Sequence, residues 1–357
     1  MKKILILLND DGYSARYLFP LLQNLPLLHD SGYTLLLDDF DLSCHDYDAD
    51  CLIILHDCLE KETEQIRREY LEKARNGCGT LVWLDTSDST GTTVFDVLPH
   101  VDLYLKKQLL KDLTLYTRET YNQRIYSDFY HSRFGVSDAV CHYREPLDLQ
   151  FAGKLRTAWN ILIGDIWNDG TPHGCYSFIP ASGPKRFDLS WRGSRSYMPT
   201  VSFQRETVFD MIGRRSDLRF PDSDGLIDHR SYMQQLRESR CVVSPFGWGE
   251  ICWRDAECWI SGSTLIKPDM SHLATWPDYF VPHQTYVPFS WECTDLDQVL
   301  SGIRDRAPAY LEVAAAGQEL YRKSISRAGM EAFVSRFAAL LDAGRAAEVP
   351  AVGDTPW

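Results

Sequence analysis

The sequence predicts an α/β protein with two domains that face each other across a cleft. The chain has 357 residues, which is enough for two hydrophobic cores. Short apolar runs alternate with amphipathic segments in both halves, as in parallel sheets covered by helices. A stretch rich in Gly, Pro and Ser separates the halves. We therefore expect a first domain over residues 1–168, a linker over 169–185, a second domain over 186–330, and a C-terminal helix and tail over 331–357.

Five short apolar runs in the first half are suited to strands buried on both faces. They are residues 3–8, 34–37, 51–55, 80–84 and 102–105. Between the third and fourth runs, residues 60–76 carry an apolar stripe and are followed by Gly77, a residue that commonly ends a helix. This segment is expected to be a surface helix that connects two parallel strands.

The second half repeats the alternation of strands and helices. Residues 187–191 begin it as a strand, and residues 296–341 end it with a helical pattern. The elements expected between them are a helix at 201–214, a strand near Leu218, a helix at 232–240, a strand at 241–243, a helix at 253–260 and a strand at 263–266.

Composition and charge exclude several classes of protein. The hydrophobic share is 44% and the charged share is 24%, so neither a disordered nor a fibrous chain is expected. The formal net charge of −13 disfavours long-range attraction to nucleic acid or to an anionic membrane. No opening segment resembles a signal peptide, and no apolar run approaches the roughly 18–20 residues of a membrane span. A cytoplasmic protein is expected, with its ten cysteines reduced because no CxxC pair occurs.

The most informative segment is residues 241–270, which is predicted to form a strand, a glycine-containing loop, a short helix and a second strand. In such a unit the loop can approach a ligand closely, and the helix N-terminus favours an anion. Arg254 and Glu257 are three residues apart and therefore lie on one face of the helix. A guanidinium suits a diphosphate, and a carboxylate suits the two hydroxyls of a ribose. The alternative is a surface ion pair between the two side chains.

This segment resembles the nucleotide-sugar site of GT-B glycosyltransferases, especially the exostosin-like and family-1 or family-4-like groups. Glu257 is followed by a small-residue stretch that ends at Gly262 and by the apolar residues 264–266, which matches the family pattern. Arg254 matches the basic residue that exostosin-like sequences place three positions earlier. The resemblance covers roughly the C-terminal half, and it implies two Rossmann-like domains with the donor site in the second.

The resemblance has one departure and also extends to further residues. Many family-4-like enzymes carry a second glutamate eight positions before the first, where this chain has Gly249, with Glu250 as its neighbour. Exostosin-like proteins also place a strand followed by glycine beside the donor diphosphate, and 191–193 is similar. The donor side is therefore expected to include Arg192, Gly193, Ser244, Gly247, Gly249, Glu250, Arg254, Glu257 and Lys267.

Carboxylates in two loops of the first half are candidates for the base that accepts the acceptor proton. Asp10 and Asp11 follow the first strand in an Asn-Asp-Asp-Gly motif, and Asp85 and Asp88 follow the fourth. The first motif is also similar to the opening of survival-protein-E-type nucleotidases, which are metal-dependent phosphatases. A third interpretation is a turn in which Asp11 caps the next helix.

Together these observations predict a metal-independent glycosyltransferase that needs no cofactor beyond its nucleotide-sugar donor. The acceptor is expected to be a glycan, a lipid-linked molecule or a small molecule, with peripheral contact to a membrane where the acceptor is membrane-linked, and polysaccharide biosynthesis is the expected setting. The alternatives are a metal-dependent nucleotidase built on residues 9–12, and a non-catalytic nucleotide- or glycan-binding protein.

Overall fold

The computed structural model of the protein describes residues 1–9, 16–44, 46–164, 177–221 and 227–343. Within these residues the strands form sheets of six, four and two strands. None of the described helices is long and apolar enough to cross a membrane. The nine cysteines in this part of the chain are free thiols.

The six-stranded sheet belongs to the first half and is parallel, in the order β2-β1-β3-β4-β5-β7. Its central strands are buried on both faces, so the prediction of a parallel sheet is confirmed. Each of the five predicted apolar runs overlaps one of its strands. The strands are β1 Lys2–Leu8, β2 Tyr33–Asp39, β3 Ala49–Leu55, β4 Cys78–Asp85, β5 Leu103–Lys106 and β7 Leu155–Thr157.

The predicted surface helix of the first half is confirmed, although it begins later than expected. It starts at Glu64 because the hydroxyl of Thr63 caps it, accepting from the N–H of Ile66 at 3.3 Å. Tyr70 and Leu71 of its apolar stripe are buried. The helices of this half are α1 Phe19–Gln23, α2 Leu25–Asp30, α3 Glu64–Ala74 and α4 Ile125–Phe134.

The four-stranded sheet belongs to the second half and is also parallel, in the order β12-β10-β9-β8. Its strands are β8 Phe187–Ser190, β9 Ser239–Val243, β10 Thr264–Pro268 and β12 Val287–Phe289. The helices are α5 Pro199–Gly213, α6 His229–Arg237, α7 Trp253–Ile260, α8 Leu296–Asp305, α9 Ala307–Ser324 and α10 Arg327–Ala343. The prediction of one helical region at 296–341 is refined to three helices.

The prediction of a strand near Leu218 is wrong, because the structure has no strand among the described residues there. The carbonyl of Arg219 does accept from the N–H of Asp188 at 2.8 Å, so the segment lies against the free edge of β8. The pairing does not continue, because Pro221 follows and has no N–H to donate.

The two halves are joined by packing that does not follow chain order. Strands β6 (Gln108–Leu110) and β11 (Leu273–Thr275) form an antiparallel pair between the halves. Helix α4 packs into the core of the second half through Tyr126 and Tyr130. Helix α10 returns to the core of the first half, where Phe333 meets the ring of Trp159. Residues 169–176 of the expected linker lie outside the described residues.

Candidate functional site

The candidate site is built around α7, at the carboxyl ends of β8 and β9. The helix covers the residues predicted for it, 253–260. Asp255 holds its first turn, because its carboxylate accepts from the N–H of Cys252 at 3.2 Å. The side chains of Arg254 and Glu257 leave this helix toward the end of β8 and toward α6, as their contacts show.

Arg254 ties α7 to the end of β8. Its Nη2 donates to the carbonyl of Arg192 at 2.5 Å. Its Nε is buried and has no hydrogen-bond partner in the described part of the chain. Burial by itself lowers the pKa of Arg254, but the neighbouring Tyr232, Cys252 and Glu257 side chains outweigh it, so the pKa is raised. The guanidinium therefore remains charged, and Arg254 is only partly buried, which leaves it accessible to a ligand.

A second guanidinium meets the first at Gly193. A Cβ built on this glycine would lie 2.5 Å from Nη2 of Arg205 and 3.1 Å from Nη2 of Arg254. Arg205 is held from behind, because its Nε donates to the carbonyl of Ser194 at 2.7 Å and its Nη1 to that of Phe246 at 2.8 Å. Burial lowers the pKa of Arg205, and the charge of Arg254 lowers it further. Within the described residues neither arginine has an ion-pair partner, so together they form a positively charged site beside a glycine.

Glu257 lies on the same helix one turn later and is buried. Its Oε2 accepts from the hydroxyl of Tyr232 at 2.8 Å, and its Oε1 lies 3.5 Å from Nε2 of His229. Burial raises the pKa of Glu257, and the contacts with Tyr232, Arg254 and His229 offset this only in part. Among the described residues no ion pair joins Arg254 to Glu257, so the alternative of a surface ion pair does not describe this site.

Lys267 and Ser244 lie behind the site and do not face it. Lys267 is fully buried, and its Nζ lies 3.1 Å from the carboxylate of Asp255. Ser244 is buried too, and its hydroxyl donates to the same carboxylate at 2.7 Å. The phosphate contact predicted for Lys267 does not fit this position, because an ammonium enclosed with its counter-ion has no surface to offer a ligand.

The glycine loop before α7 contacts the first half of the protein. A Cβ on Gly249 would clash with the backbone carbonyl of Asp88, and the carbonyl of Gly247 accepts from the hydroxyl of Tyr126 at 2.8 Å. Glu250 is buried and accepts from the N–H of Thr90 at 3.0 Å and from its hydroxyl at 2.5 Å. These residues join the two halves, so a donor contact from Gly249 or Glu250 does not fit their positions.

The predicted carboxylates of the first half fall into three groups. Asp85 is buried in an ion pair with Lys106 at 3.0 Å, which leaves it unsuited to accept a proton from a substrate. Asp88 is 35% exposed and pairs with Lys107 at 3.0 Å, at the seam between the halves. Asp10 and Asp11 lie outside the described residues.

Lys106 and hydrogen bonding keep Asp85 ionised. Burial raises its pKa, but Lys106, His56 and the hydroxyls of Ser87 and Tyr104 outweigh burial and lower the pKa to about 2. Burial also lowers the pKa of Lys106, and the attraction of Asp85 offsets this only in part. Asp85 is therefore a structural carboxylate.

Two residues of this site, Arg205 and Tyr232, were not assigned a role from the sequence. Arg205 belongs to a cluster of basic residues after the expected linker, which is the signal that could have identified it. Tyr232 lies in a helix predicted from its pattern, but nothing in that pattern shows that the helix packs on α7. In the described part of the chain no group of three His, Cys, Asp or Glu side chains is placed to bind a metal ion. Metal independence stays a prediction.

Comparison with known proteins shows the fold. No family model matches the chain, and no curated protein sequence matches it. An alpha-glucosyltransferase solved in complex with UDP is 10% identical over 95% of this chain and 100% of its own, with a TM-score of 0.50. HepE from Anabaena, solved with UDP and glucose, is 9% identical over 95% of this chain and 100% of its own, with a TM-score of 0.49. The likeness to the first confirms the predicted GT-B fold.

Proposed function

We propose that the protein is a glycosyltransferase that moves a sugar from a nucleotide-sugar donor to an acceptor hydroxyl. The observation that carries this proposal is the convergence of Arg205 and Arg254 on Gly193, in a position where a side chain would fill the space. Two neighbouring cations without a carboxylate partner repel each other, so a bound dianion stabilises them. The likeness in fold to an alpha-glucosyltransferase that binds UDP supports the same proposal.

The two arginines act on the leaving group. Sugar transfer builds negative charge on the departing diphosphate, and a cation held in place before the reaction stabilises that charge without reorganisation. Arg205 is held by the carbonyls of Ser194 and Phe246, and Arg254 by that of Arg192. The glycine allows the diphosphate oxygens to approach both groups.

Glu257 accepts hydrogen bonds from the ribose hydroxyls of the donor. Tyr232 positions it, because its hydroxyl occupies Oε2 at 2.8 Å and leaves Oε1 toward His229 and the ligand. The pKa of Glu257 is raised because the buried carboxylate has lost its water contacts. A ligand hydroxyl supplies a hydrogen bond in their place.

Asp88 is our candidate for the base that takes the acceptor proton, because its carboxylate is partly exposed at the seam between the halves. Asp10 and Asp11 are the other candidates from the sequence. The acceptor is a glycan, a lipid-linked molecule or a small molecule, and the protein acts in the cytoplasm without a metal ion.

The test is calorimetric titration with UDP, GDP, CMP, ADP and dTDP, followed by transfer assays with the sugar nucleotide of the base that binds. We expect one nucleotide to bind, with an affinity that Glu257→Gln lowers about tenfold or more, since a buried charged hydrogen bond is lost. The exposed carboxylate of Glu312, converted to Gln, is the matched control. Metal-dependent release of inorganic phosphate would instead show a nucleotidase, and binding without transfer to any acceptor would show a binding module.

A further inference from the structure

A second cavity lies at the opposite, amino end of the two central strands of the four-stranded sheet. It has a volume of about 420 Å³ and is lined by the amino ends of β9 and β10, by residues 181–185 and by the first turns of α9. The strands separate it from Gly193 by roughly 16 Å, the length of five residues of β-strand. The cavity is therefore distinct from the donor site.

The outer wall of this cavity is apolar. Ile303 comes from α8, and Pro308, Leu311 and Ala314 come from α9. Leu311 is 42% exposed, whereas leucines of the two cores are almost fully buried. Exposed apolar surface around a cavity indicates a binding site for an apolar group.

Arginines surround one carboxylate at the edge of the cavity. Asp188 is 6% exposed, and Arg219, Arg240 and Arg304 approach it at 3.1, 3.6 and 3.7 Å. Arg240 lines the cavity, and Arg304 follows the lining residue Ile303. The arginine side chains are 58, 48 and 50% exposed, so three guanidinium groups that share one buried carboxylate face solvent.

Lys185 adds positive charge to the inner wall. Its ammonium donates to the carbonyls of Arg237 at 3.0 Å and Ser261 at 2.9 Å, and to the hydroxyl of Ser263 at 3.4 Å. In the described part of the chain, all the oxygens that it contacts are neutral. The first turn of α9, which also borders the cavity, contains no acidic residue. This region is thus cationic in a chain whose net charge is −13.

We propose that this cavity binds an anionic acyl lipid, with the acyl chain in the apolar cavity and the anionic headgroup on Arg219, Arg240 and Arg304. A bare anion would use the arginines and leave the apolar wall exposed, and a neutral apolar molecule would leave unused the exposed faces of three arginines that share Asp188 as their ion-pair partner. The lipid uses both parts. The negative net charge does not prevent this, because charges are screened beyond about 8–10 Å at physiological salt and the headgroup meets only the local arginines.

The test is co-sedimentation of the full chain with phosphatidylcholine vesicles that do or do not contain phosphatidylglycerol. We expect binding to the anionic vesicles only, and a loss of about fivefold in partition for each of Arg240→Gln and Arg304→Gln. Arg327→Gln is the charge-matched control. Arg327 is 84% exposed, pairs with Glu331 four residues later, and follows the end of α9 that is farther from the cavity. Equal binding to both kinds of vesicle, no binding to either, or binding unchanged in Arg240→Gln would overturn the proposal.

A second variant tests the apolar part. Leu311→Glu should abolish binding to the anionic vesicles, whereas Leu149→Glu, at a residue that is 55% exposed elsewhere, should not. Inorganic phosphate should displace the protein only at concentrations at which ionic strength alone does so. Displacement at lower phosphate concentrations, or vesicle binding that survives Leu311→Glu, would show an anion site without a lipid site. Transfer to a soluble acceptor should be unchanged in these variants, so this proposal and the proposed function fail separately.

Discussion

Helix α7 contributes residues to two sets of charged side chains that have opposite environments, Asp255 with Lys267 of β10, and Arg254 with Glu257. Asp255 and Lys267 are both fully buried and lie 3.1 Å apart. Arg254 and Glu257 flank Asp255 on the helix and do not pair with each other. Arg254 donates to the carbonyl of Arg192, and Glu257 accepts from the hydroxyl of Tyr232.

The difference separates stability from function. A buried charge with its counter-ion is complete without a ligand, and removing either partner leaves an uncompensated charge in the core. A buried charge with an unused hydrogen-bonding group is incomplete, and a ligand can supply what is missing. We call the first a closed pair and the second an open pair.

The largest effect is expected from breaking the closed pair. Lys267→Met leaves the Asp255 carboxylate buried without its counter-ion, and it should lower the free energy of unfolding by about 3–5 kcal/mol. Urea denaturation followed by circular dichroism measures this. The double variant Asp255→Asn with Lys267→Met should recover part of the loss. Unchanged stability with lost nucleotide binding would instead restore the phosphate role first predicted for Lys267.

Changing the open pair should affect catalysis and spare the fold. Arg254→Gln removes a charge that stabilises the departing diphosphate, so kcat/KM should fall about 100- to 1000-fold. The free energy of unfolding should change by less than about 1 kcal/mol, because no ion pair is broken. Arg230→Gln, at an exposed position on α6, is the control. A large loss of stability with unchanged turnover would make Arg254 a structural residue.

Asp85 and Lys106 form a second closed pair, which can be tested by pH. The pKa of Asp85 is about 2 in the folded protein and about 3.9 in an unfolded chain, so its contribution is fully present above about pH 5 and is lost as the pH falls through 2 to about 1. We expect a loss of about 2–3 kcal/mol in the free energy of unfolding over this range. Asp85→Asn should lower stability at pH 7 and remove this part of the pH dependence. An activity loss at unchanged stability would contradict the structural assignment.

The smallest effect is expected from Tyr232→Phe. The variant removes one hydrogen bond to Glu257 and keeps the ring, so the donor KM should rise by about three- to tenfold. Turnover at saturating donor should stay within about twofold, because Tyr232 positions a group that binds the ribose and does not act on the leaving group. Steady-state kinetics with varied donor separates the two parameters. A fall in kcat at constant KM would place Tyr232 in the chemical step.

Much of the architecture could be predicted from the sequence. The apolar runs that became β1, β3 and β4 are continuous rather than alternating, which indicates strands buried on both faces. The helix at residues 253–260 was predicted at its observed boundaries, because a glycine loop precedes it and Gly262 ends it. The prediction of a strand near Leu218 failed because a short apolar run does not show whether the N–H groups of the segment have hydrogen-bond partners in a sheet.

The site could be predicted only in part. Arg254 and Glu257 stand out because their chemistry and their spacing coincide. Lys267 has the same chemistry as a phosphate ligand, and only the structure shows that Asp255 already neutralises it. Glu250 was predicted as a ligand contact because it neighbours the position at which similar enzymes carry a second glutamate, whereas in the fold it binds Thr90 and links the halves.

The sequence by itself determined most strands of the two parallel sheets, their order along the chain and the helix that carries the two key charges, because these depend on local periodicity and on residue type. The tertiary structure alone decided which charges are neutralised in the core and which remain open to a ligand. Ion pairing and burial arise between residues that are distant in the chain, such as Gly193 with Arg205 and Arg254. The local sequence pattern contains no information about such contacts. The fold alone therefore decides whether a charged residue is neutralised in the core or can bind a ligand.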